Sequence, residues 1–384
     1  YKDFEVQSDP YLPIKEDLSR RDFTINSMAI LINKTDSLMD LFGGIGDLEE
    51  KIIRTVGKAE KRFAEDYTRM IRATRFSAQL GFEIEEKTYL EIKNNAGNIK
   101  KVAIDLIRDE FNKIIMSSNA KRGVMLLHNL KLLRWIIPEL ETGVGVDQNK
   151  SHIFTVFEHA IRTLDFAAKN NYSLEIRIAG LLHDVAKPIT KKGKGVDATF
   201  YNHDIVGARI TRKILRRLNY SNEKIKKIEH LVRYHMFYYS LGEITDAGVR
   251  RFIARVGREH IDDLIKLRMA DRIGMGRPKA KPFKLIELQR RVKLVQLDPI
   301  SVKMLKVNGA DIIEELGLSP CPKFGLILNA LLAEVLEDPK KNDREYLIKR
   351  MKELNKMNDK ELNDLSPDLD SYEEYRRKET IKKM

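Results

Sequence analysis

Hydrophobic positions recur at steps of three and four along most of the chain, which is the spacing of one face of an α-helix. They follow this spacing from Arg62 to Leu80, and Gly81 then supplies a helix C-cap. Further helices are predicted around 86–95, 104–116 and 120–133. The hydrophobic pattern of this part of the chain therefore predicts a bundle of short amphipathic helices.

Short features precede and interrupt these helices. The apolar run from Ile25 to Ile32 fits either a buried strand or the start of a helix, and the glycines between 43 and 46 mark a loop. Helices resume at Phe154 and continue to about Leu354, with loops at 191–201 and 274–282. The predicted fold class is mostly α.

Composition narrows the range of partners. Lys and Arg total 70 against 57 Asp and Glu, a net charge of +13, which favours a polyanionic partner, with RNA or DNA ahead of a membrane. A basic protein with no nucleic-acid role is the alternative.

The single cysteine, Cys321, excludes a disulfide framework and fits a reducing, cytoplasmic location. No apolar run is long enough to cross a bilayer.

One predicted helix carries four charged residues at steps of three: Asp66, Arg69, Arg72 and Arg75. On a helix the first three share a face, which sets a hydrogen-bond acceptor beside fixed donors. An aspartate–arginine pair of this kind matches cytosine and adenine, which each offer an amino donor beside a ring-nitrogen acceptor. The pair rejects uracil and guanine, which present the reverse polarity. The two later arginines would remain free to bind phosphates. Ion pairs on a surface helix are the alternative interpretation.

Several longer motifs stand in a fixed order: RRDFTINSMA, LFGGIGDLEEKIIRTVG, EDYTRMIRATRFSAQLGF, IRDEFNKII and NGADIIEELGLSPCPKFGLILNALL. They closely resemble the bacterial-type (class II) tRNA nucleotidyltransferase and poly(A) polymerase family over nearly the whole chain. The resemblance implies a multi-helical neck, body and tail, preceded by a remnant of an α/β nucleotidyltransferase head. It also implies addition of C, C and A to the 3′ ends of tRNA from CTP and ATP with Mg²⁺.

The same resemblance implies roles for individual residues. The implied nucleotide-binding residues are Arg21, Asp22, Asp66, Arg69, Arg72 and Arg75. The first two would contact the sugar and phosphates, the middle two would recognise the base, and the last two would steady the triphosphate and the helix. The loop from Asp40 to Asp47 would be the hinge between head and neck.

One part of the family pattern has no counterpart in these 384 residues. The family places a glycine-rich phosphate loop and a DxD carboxylate pair before RRDFT, and those carboxylates hold the metal ions of the transfer reaction. The sequence therefore predicts a truncated transferase that does not transfer nucleotides by itself. A longer native chain, or a second chain, would restore the transfer.

Histidines and aspartates follow one another in a second pattern, H…HD…H…H…D. Its members are His159, His183, Asp184, His203, His235 and Asp271. This order resembles the HD phosphohydrolase superfamily. Imidazoles and carboxylates are ligands for divalent metals such as Mn²⁺ or Ni²⁺, although any single histidine is more often an ordinary core or surface residue.

The resemblance to HD proteins also implies which of the six residues bind a first metal ion and which bind a second. His159, His183, Asp184 and Asp271 suffice for one ion, whereas His203 and His235 match the positions that add a second ion. Lys187, just after the HD pair, is placed to meet a phosphate oxygen. The implied chemistry is phosphatase or 2′,3′-cyclic phosphodiesterase activity on nucleotides or RNA ends.

The motifs predict five segments: a head remnant at 1–40, a base-recognising neck at 41–145, an HD domain at 146–276, a helical body and tail at 277–360, and a polar tail at 361–384. A tRNA nucleotidyltransferase with an HD phosphohydrolase site is the favoured function. The alternatives are an HD phosphodiesterase or phosphatase with an RNA-binding remnant, a poly(A) polymerase, and a non-catalytic RNA-binding protein.

Overall fold

The computed structural model describes residues 12–32, 37–148, 153–237 and 245–366. The segment before residue 12 and most of the predicted polar tail lie outside the described residues. Helices dominate the described part, and the few strands are short, so the predicted mostly-α fold is confirmed. No described helix is both long enough and apolar enough to cross a membrane.

In the described part of the chain, the first nine α-helices lie in the segment that the sequence assigned to the head remnant and the neck. They are α1 (Ile14–Ser19), α2 (Gly44–Glu49), α3 (Ala59–Glu65), α4 (Thr68–Leu80), α5 (Glu86–Asn95), α6 (Ile104–Met116), α7 (Ala120–Asn129), α8 (Leu133–Ile136) and α9 (Pro138–Glu141). Where the structure is described, four short strands accompany them: β1 (Met28–Leu31), β2 (Ser37–Asp40), β3 (Ile52–Ile53) and β4 (Glu83–Ile84). β1 pairs antiparallel with β2, and β3 pairs parallel with β4.

Twelve more α-helices follow among the described residues. They are α10 (Val156–Lys169), α11 (Leu174–Leu182), α12 (Lys187–Thr190), α13 (His203–Arg217), α14 (Asn222–Tyr234), α15 (Asp246–Val256), α16 (Ile261–Gly274), α17 (Phe283–Leu294), α18 (Gly309–Leu316), α19 (Lys323–Glu337), α20 (Arg344–Leu354) and α21 (Asp359–Leu365).

The chain divides into two compact units. The first is Tyr1–His235 with Lys266–Ala280, and the second is Met236–Ile265 with Lys281–Met384. Contacts therefore group the neck with most of the predicted HD domain and assign residues 236–265 to the second unit. The second unit has its own apolar core, in which α19 packs against α20 and α21. The predicted segment boundaries at 145 and 276 remain predictions.

Helix positions follow the hydrophobic pattern closely in the neck. The predicted helices at 86–95 and 104–116 are α5 and α6, and Gly81 ends α4 in the left-handed conformation. α4, α6 and α7 pack tightly around Gly123, where an added Cβ would lie 2.4 Å from a methyl group of Ile114. The absence of a side chain there lets the helices approach each other.

The structure differs from the sequence-based expectation at four places. The helix predicted over 120–133 ends at Asn129, because Lys131 takes a positive φ of 59° before α8 begins. The glycines after residue 43 begin α2 instead of forming a loop. The run Ile25–Ile32 includes strand β1, yet Ile30 is 62% exposed and not buried. The predicted polar tail starts inside α21, whose Leu362 is fully buried.

Arg177 joins the neck to the helices that follow it in the first unit. Its buried guanidinium, on α11, donates to the carbonyls of Ile115 and Ser117 at the end of α6. It also donates to the carbonyls of Tyr172 and Ala168. One side chain therefore donates to carbonyls at the ends of both α6 and α10 and to that of Tyr172.

Arg177→Met is expected to lower the free energy of unfolding by about 3 kcal/mol, because several buried carbonyls lose a charged donor. Urea denaturation followed by circular dichroism measures the change. Arg216→Met, at an exposed position with no hydrogen bond or ion pair to another described side chain, is the control and should change stability by less than about 0.5 kcal/mol. Equal stability of the two variants would contradict this role of Arg177.

Candidate metal centre and nucleotide-binding turn

The helix that supplies the first candidate ligand has a well-defined start. The Thr155 hydroxyl accepts the backbone N–H of Glu158, and the Glu158 carboxylate accepts the backbone N–H of Thr155. The N–H and the hydroxyl of Thr155, which both donate to the Glu158 carboxylate, hold the pKa of Glu158 below its usual value. α10 thus begins at a fixed point, and its apolar face carries His159 into the interior.

Helix ends supply most of the other candidate ligands. His183 and Asp184 directly follow the apolar α11, His203 is the first residue of α13, His235 directly follows α14, and Asp271 lies on α16. All six predicted ligands are at most 4% exposed. The first unit therefore gathers residues that span more than a hundred positions of sequence into its interior.

Four ligand atoms form a tight group. Nε2 of His159 lies 3.0 Å from Nε2 of His183, 3.3 Å from Oδ2 of Asp184 and 3.2 Å from Oδ1 of Asp271. Nε2 of His183 lies 3.2 Å from the same Asp184 oxygen and 3.7 Å from the same Asp271 oxygen. Atoms bound about 2.1 Å from one divalent ion stand about 3.0 to 3.4 Å apart, so these separations suit a shared ion.

The remaining two histidines face the other oxygen of Asp184. Nε2 of His203 lies 3.4 Å from Oδ1 of Asp184, and Nε2 of His235 lies 3.8 Å from it. Neither Nε2 atom has a hydrogen-bond partner among the described residues, although both are buried. Buried nitrogens left without a partner are costly unless a ligand such as a metal ion uses them.

Backbone carbonyls fix the tautomer of three of these histidines. Nδ1 of His183 donates to the carbonyl of Gly180, Nδ1 of His203 to that of Phe200, and Nδ1 of His235 to that of Val232. A carbonyl oxygen can only accept, so each Nδ1 carries the proton when the ring is neutral. Each Nε2 then presents its lone pair to the cluster, which is the form that binds a metal.

Inside the cluster, the pKa values of Asp184, His203 and His235 shift in the direction that favours metal binding, with the aspartate ionised and the histidines neutral. Burial alone would raise the pKa of Asp184, but His183 and Lys187 hold it well below its usual range. Burial lowers the pKa of His203, and burial with the neighbouring imidazoles lowers that of His235. Burial would also lower the pKa of His183, yet Asp184 raises it to about 10. His183 thus holds a proton that a bound metal would replace.

Three further side chains hold the cluster in place. A guanidinium nitrogen of Arg268 donates to Oδ2 of Asp271 at 2.6 Å, which leaves Oδ1 directed at the histidines. The Lys187 ammonium lies 2.7 Å from Oδ2 of Asp184 and donates to Oε1 of Gln148 at 2.6 Å. The amide of Gln148 donates in turn to the carbonyl of Phe154. The predicted phosphate contact of Lys187 remains a prediction.

The predicted nucleotide-binding residues cluster at a separate place, where the turn Arg20–Asp22 meets α4. Arg72 binds the buried Asp22 carboxylate at 2.6 to 2.8 Å. Arg69 donates to the carbonyl of Arg20 at 2.8 Å. The half-exposed Arg21 binds Asp17 at 3.1 Å and donates to the Asn26 carbonyl at 3.4 Å. α4 therefore holds this turn through two arginines.

Asp66 does not lie on the same helix as the arginines, so that prediction was wrong. It has extended backbone between α3 and α4, and its carboxylate accepts the N–H and hydroxyl of Thr68. Residues from 62 onward form two helices because this local hydrogen bonding competes with helix continuation. Asp66 and Arg69 remain neighbours, since the Arg69 N–H donates to the Asp66 carbonyl.

Arg72 and Arg75 are not free, contrary to the sequence-based expectation. Arg72 pairs with Asp22, and Arg75 is a mostly buried partner of Glu110 on α6 at 3.2 Å. Burial lowers the pKa of the Arg75 guanidinium, although Glu110 opposes the change. Arg75 therefore joins α4 to α6, whereas the spacing of charges had suggested a phosphate contact.

The sequence-based predictions did not indicate that Gln148, Arg268 and Gly274, the last residue of α16, help to hold the cluster in place. Arg268 stands three positions before Asp271, a spacing typical of helical ion pairs, so that contact had a detectable signal. Gln148 comes from a loop and reaches Lys187 across 39 positions. No local pattern indicates such a contact.

Three family models match separate parts of the chain. A "Poly A polymerase head domain" model matches residues 2–54, and a "Probable RNA and SrmB-binding site of polymerase A" model matches residues 81–143. An "HD domain" model matches residues 156–276, which include every candidate metal ligand. The resemblance inferred from the motifs is confirmed by these matches.

Curated relatives cover most of the chain. The A-adding tRNA nucleotidyltransferase of Deinococcus radiodurans is 34% identical over 343 residues, which are 85% of this chain and 77% of that protein. The Multifunctional CCA protein of Nitrosospira multiformis is 31% identical over 261 residues, 67% of this chain and 61% of that protein. This chain thus spans about three fifths of the second relative's length.

Solved structures share the fold. The Bacillus stearothermophilus CCA-adding enzyme, whose crystal structure contains CTP, matches with a TM-score of 0.66 and 25% sequence identity. The match covers 90% of this chain and 75% of that enzyme. The helical architecture described above is therefore one that a CTP-binding enzyme also uses.

Proposed function

This chain belongs to the bacterial tRNA nucleotidyltransferase and poly(A) polymerase family with an HD domain, and from that premise we propose that it serves the synthesis and repair of tRNA 3′ ends. Its partners are tRNA, CTP and ATP, and transfer uses Mg²⁺. Its HD site hydrolyses phosphoesters with a divalent transition metal. The observation that carries the hydrolytic part is the buried group of His159, His183, Asp184 and Asp271.

The transferase part rests on the family and on the turn held by α4. Arg21, Asp22 and Arg72 contact the nucleotide sugar and phosphates, and Arg75 keeps α4 in position against α6. Asp40, whose carboxylate accepts the N–H groups of Gly44 and Ile45, stabilises the start of the proposed hinge. In a longer chain that includes the DxD carboxylates, incorporation of ATP, CTP or both into tRNA ending in CC, C or neither distinguishes A-addition, CC-addition, CCA-addition and poly(A) synthesis.

Base choice depends on Asp66 and Arg69. Thr68 orients the Asp66 carboxylate, while the carbonyls of Arg20 and Arg62 orient the Arg69 guanidinium. The carboxylate accepts the amino group of cytosine or adenine, and the guanidinium donates to the adjacent ring nitrogen. Uracil and guanine would place a carbonyl oxygen against the carboxylate.

Asp66→Ala is expected to abolish the preference for CTP and ATP over UTP and GTP. Removing the acceptor costs about 1 to 3 kcal/mol of binding for the preferred bases, because their amino group loses its partner. Isothermal titration of the four nucleotides in the presence of Mg²⁺ measures the preference. Asp109→Ala, which removes an exposed carboxylate on α6, should leave it intact. An unchanged preference in Asp66→Ala would refute the assignment.

At the HD site, a bound divalent metal supplies a Lewis acid and a water of lowered pKa for attack on phosphorus. His159, His183, Asp184 and Asp271 would hold one ion, and His203 with His235 would hold a second. The imidazole-rich donor set favours Mn²⁺ or Ni²⁺ over Mg²⁺. Lys187 places a positive charge beside Asp184, where it meets a phosphate oxygen of the substrate.

The experiment for the HD site is metal analysis combined with a hydrolysis assay. Protein purified after chelation is titrated with Mn²⁺ or Ni²⁺, and bound metal is measured together with turnover of 2′,3′-cyclic nucleotides and phosphomonoesters. One or two ions per chain and metal-dependent turnover support the proposal. A chain that binds no ion, or binds one without hydrolysing any phosphoester, would restrict the HD residues to a structural role.

A further inference from the structure

The loop between α12 and α13 forms a small hairpin beside the HD site. Lys192 and Thr199 pair as an antiparallel bridge through two backbone hydrogen bonds of 2.9 and 2.8 Å. Gly193 and Gly195 both take positive φ, at 78° and 60°, which allows the tight return of the chain. Residues 191–201, called here the basic hairpin, are therefore an ordered element of the first unit.

Both ends of the basic hairpin contact the proposed metal site. The carbonyl of Phe200 accepts Nδ1–H of His203 at 2.7 Å, and the Phe200 ring lies 5.5 Å from the Lys187 ammonium. At the other end, Lys191 donates to the carbonyl of Asp147, next to the glutamine that binds Lys187. The base of the hairpin is thus part of the wall of the site.

Positive charge and an aromatic ring lie on the exposed part of this element. Lys192 and Lys194 are exposed, and their ammonium groups form no hydrogen bond or ion pair with another described residue. Asp197 is the only acidic residue in the hairpin sequence. Tyr201 is 40% exposed, although its neighbour Phe200 is buried. Ammonium groups beside an exposed aromatic ring are the features that proteins use to bind single-stranded nucleic acid.

We propose that the basic hairpin binds the RNA phosphates that flank the scissile phosphoester, with Tyr201 stacking on a base. The substrate of the HD site is then the phosphorylated or cyclic-phosphate end of an RNA chain, in preference to a free mononucleotide. This inference rests on the proposed HD hydrolase activity. A mononucleotide offers no flanking phosphate, so it cannot use the two lysines.

The test compares two substrates of the full chain loaded with Mn²⁺: 2′,3′-cyclic AMP and an RNA oligonucleotide that ends in a 2′,3′-cyclic phosphate. In Lys192→Ala/Lys194→Ala, KM for the oligonucleotide should rise about tenfold, while kcat and the kinetics of cyclic AMP stay unchanged. The slope of log KM against log salt should fall by about 1.4, since each lost phosphate contact removes about 0.7.

A second double variant controls for net charge. Lys213→Ala/Lys226→Ala removes two exposed lysines of α13 and α14 and should change KM for the oligonucleotide by less than about twofold. Equal effects of the two double variants would show a general charge effect and overturn the proposal. Equal effects of the hairpin variant on both substrates would overturn it as well.

Direct binding separates this inference from the hydrolase activity. Fluorescence anisotropy of a labelled RNA oligonucleotide reports affinity whether or not the protein turns it over. If wild type hydrolyses neither substrate, the hydrolase proposal fails. Weaker binding by the hairpin variant than by the control variant would still support the RNA-contact role, and identical binding by both would refute it.

Discussion

Asp184→Asn is expected to abolish stoichiometric metal binding and to reduce phosphoester turnover by at least about 100-fold. This loss is larger than the typical effect of changing a residue that only hydrogen-bonds to a metal ligand. One oxygen of this carboxylate lies 3.2 to 3.3 Å from the histidines of α10 and α11. The other lies 3.4 to 3.8 Å from His203 and His235. Asp184 thus links both proposed ion positions, and an amide supplies neither the charge nor a second oxygen.

Metal content by mass spectrometry and turnover of a 2′,3′-cyclic phosphate check this result. Asp311→Asn is the matched control, because that aspartate is also buried but caps α18 in the second unit. The control should keep its metal and its turnover. Circular dichroism distinguishes loss of the site from loss of the fold. Full metal occupancy in Asp184→Asn would show that the ligand set is elsewhere.

Much of the helical architecture could be predicted because it depends on local periodicity. α5 and α6 begin and end at the predicted residues, since their apolar faces and flanking residues specify a helix without reference to the rest of the chain. The identity of the candidate ligands could also be inferred, because the order H…HD…H…H…D is itself a sequence feature. Their gathering by α10, α11, α13, α14 and α16 could not be derived from spacing.

The errors arose where side chains compete with the pattern. A step of three predicted one helix through Asp66, but its carboxylate binds Thr68 and the helix restarts there. The same spacing left Arg72 and Arg75 without partners, yet Asp22 and Glu110 reach them from 50 and 35 positions away. Pairings of this range depend on tertiary packing, which charge spacing along one helix does not specify.

Gly274, the last residue of α16, shows how packing controls the metal site. A Cβ added there would lie 2.2 Å from the Thr163 hydroxyl and 3.0 Å from Nδ1 of His159. The hydroxyl cannot easily move, because Thr163 is fully buried and donates to the His159 carbonyl at 2.9 Å. α16 also carries Asp271, so any separation of α16 from α10 pulls two ligands apart.

Gly274→Ala is therefore expected to weaken metal binding by about 10- to 100-fold and to lower the free energy of unfolding by about 1 to 3 kcal/mol. Competition with a chelating dye measures the affinity, and urea denaturation measures the stability. Gly325→Ala, inside α19 with no atom within 4 Å of the new Cβ, is the control. It should leave metal affinity unchanged and add up to about 1 kcal/mol of stability, because alanine favours helix.

A double variant identifies the contact that causes the weaker metal binding of Gly274→Ala. Thr163→Ala removes the hydroxyl that the new methyl group would strike, so Thr163→Ala/Gly274→Ala should bind metal more tightly than Gly274→Ala alone. The recovery should be partial, because the 3.0 Å approach to Nδ1 of His159 remains. Effects of residues in contact are not additive, and this pair should show that coupling. Strict additivity, or wild-type metal affinity in Gly274→Ala, would mean that α10 and α16 can separate without disturbing His159 and Asp271.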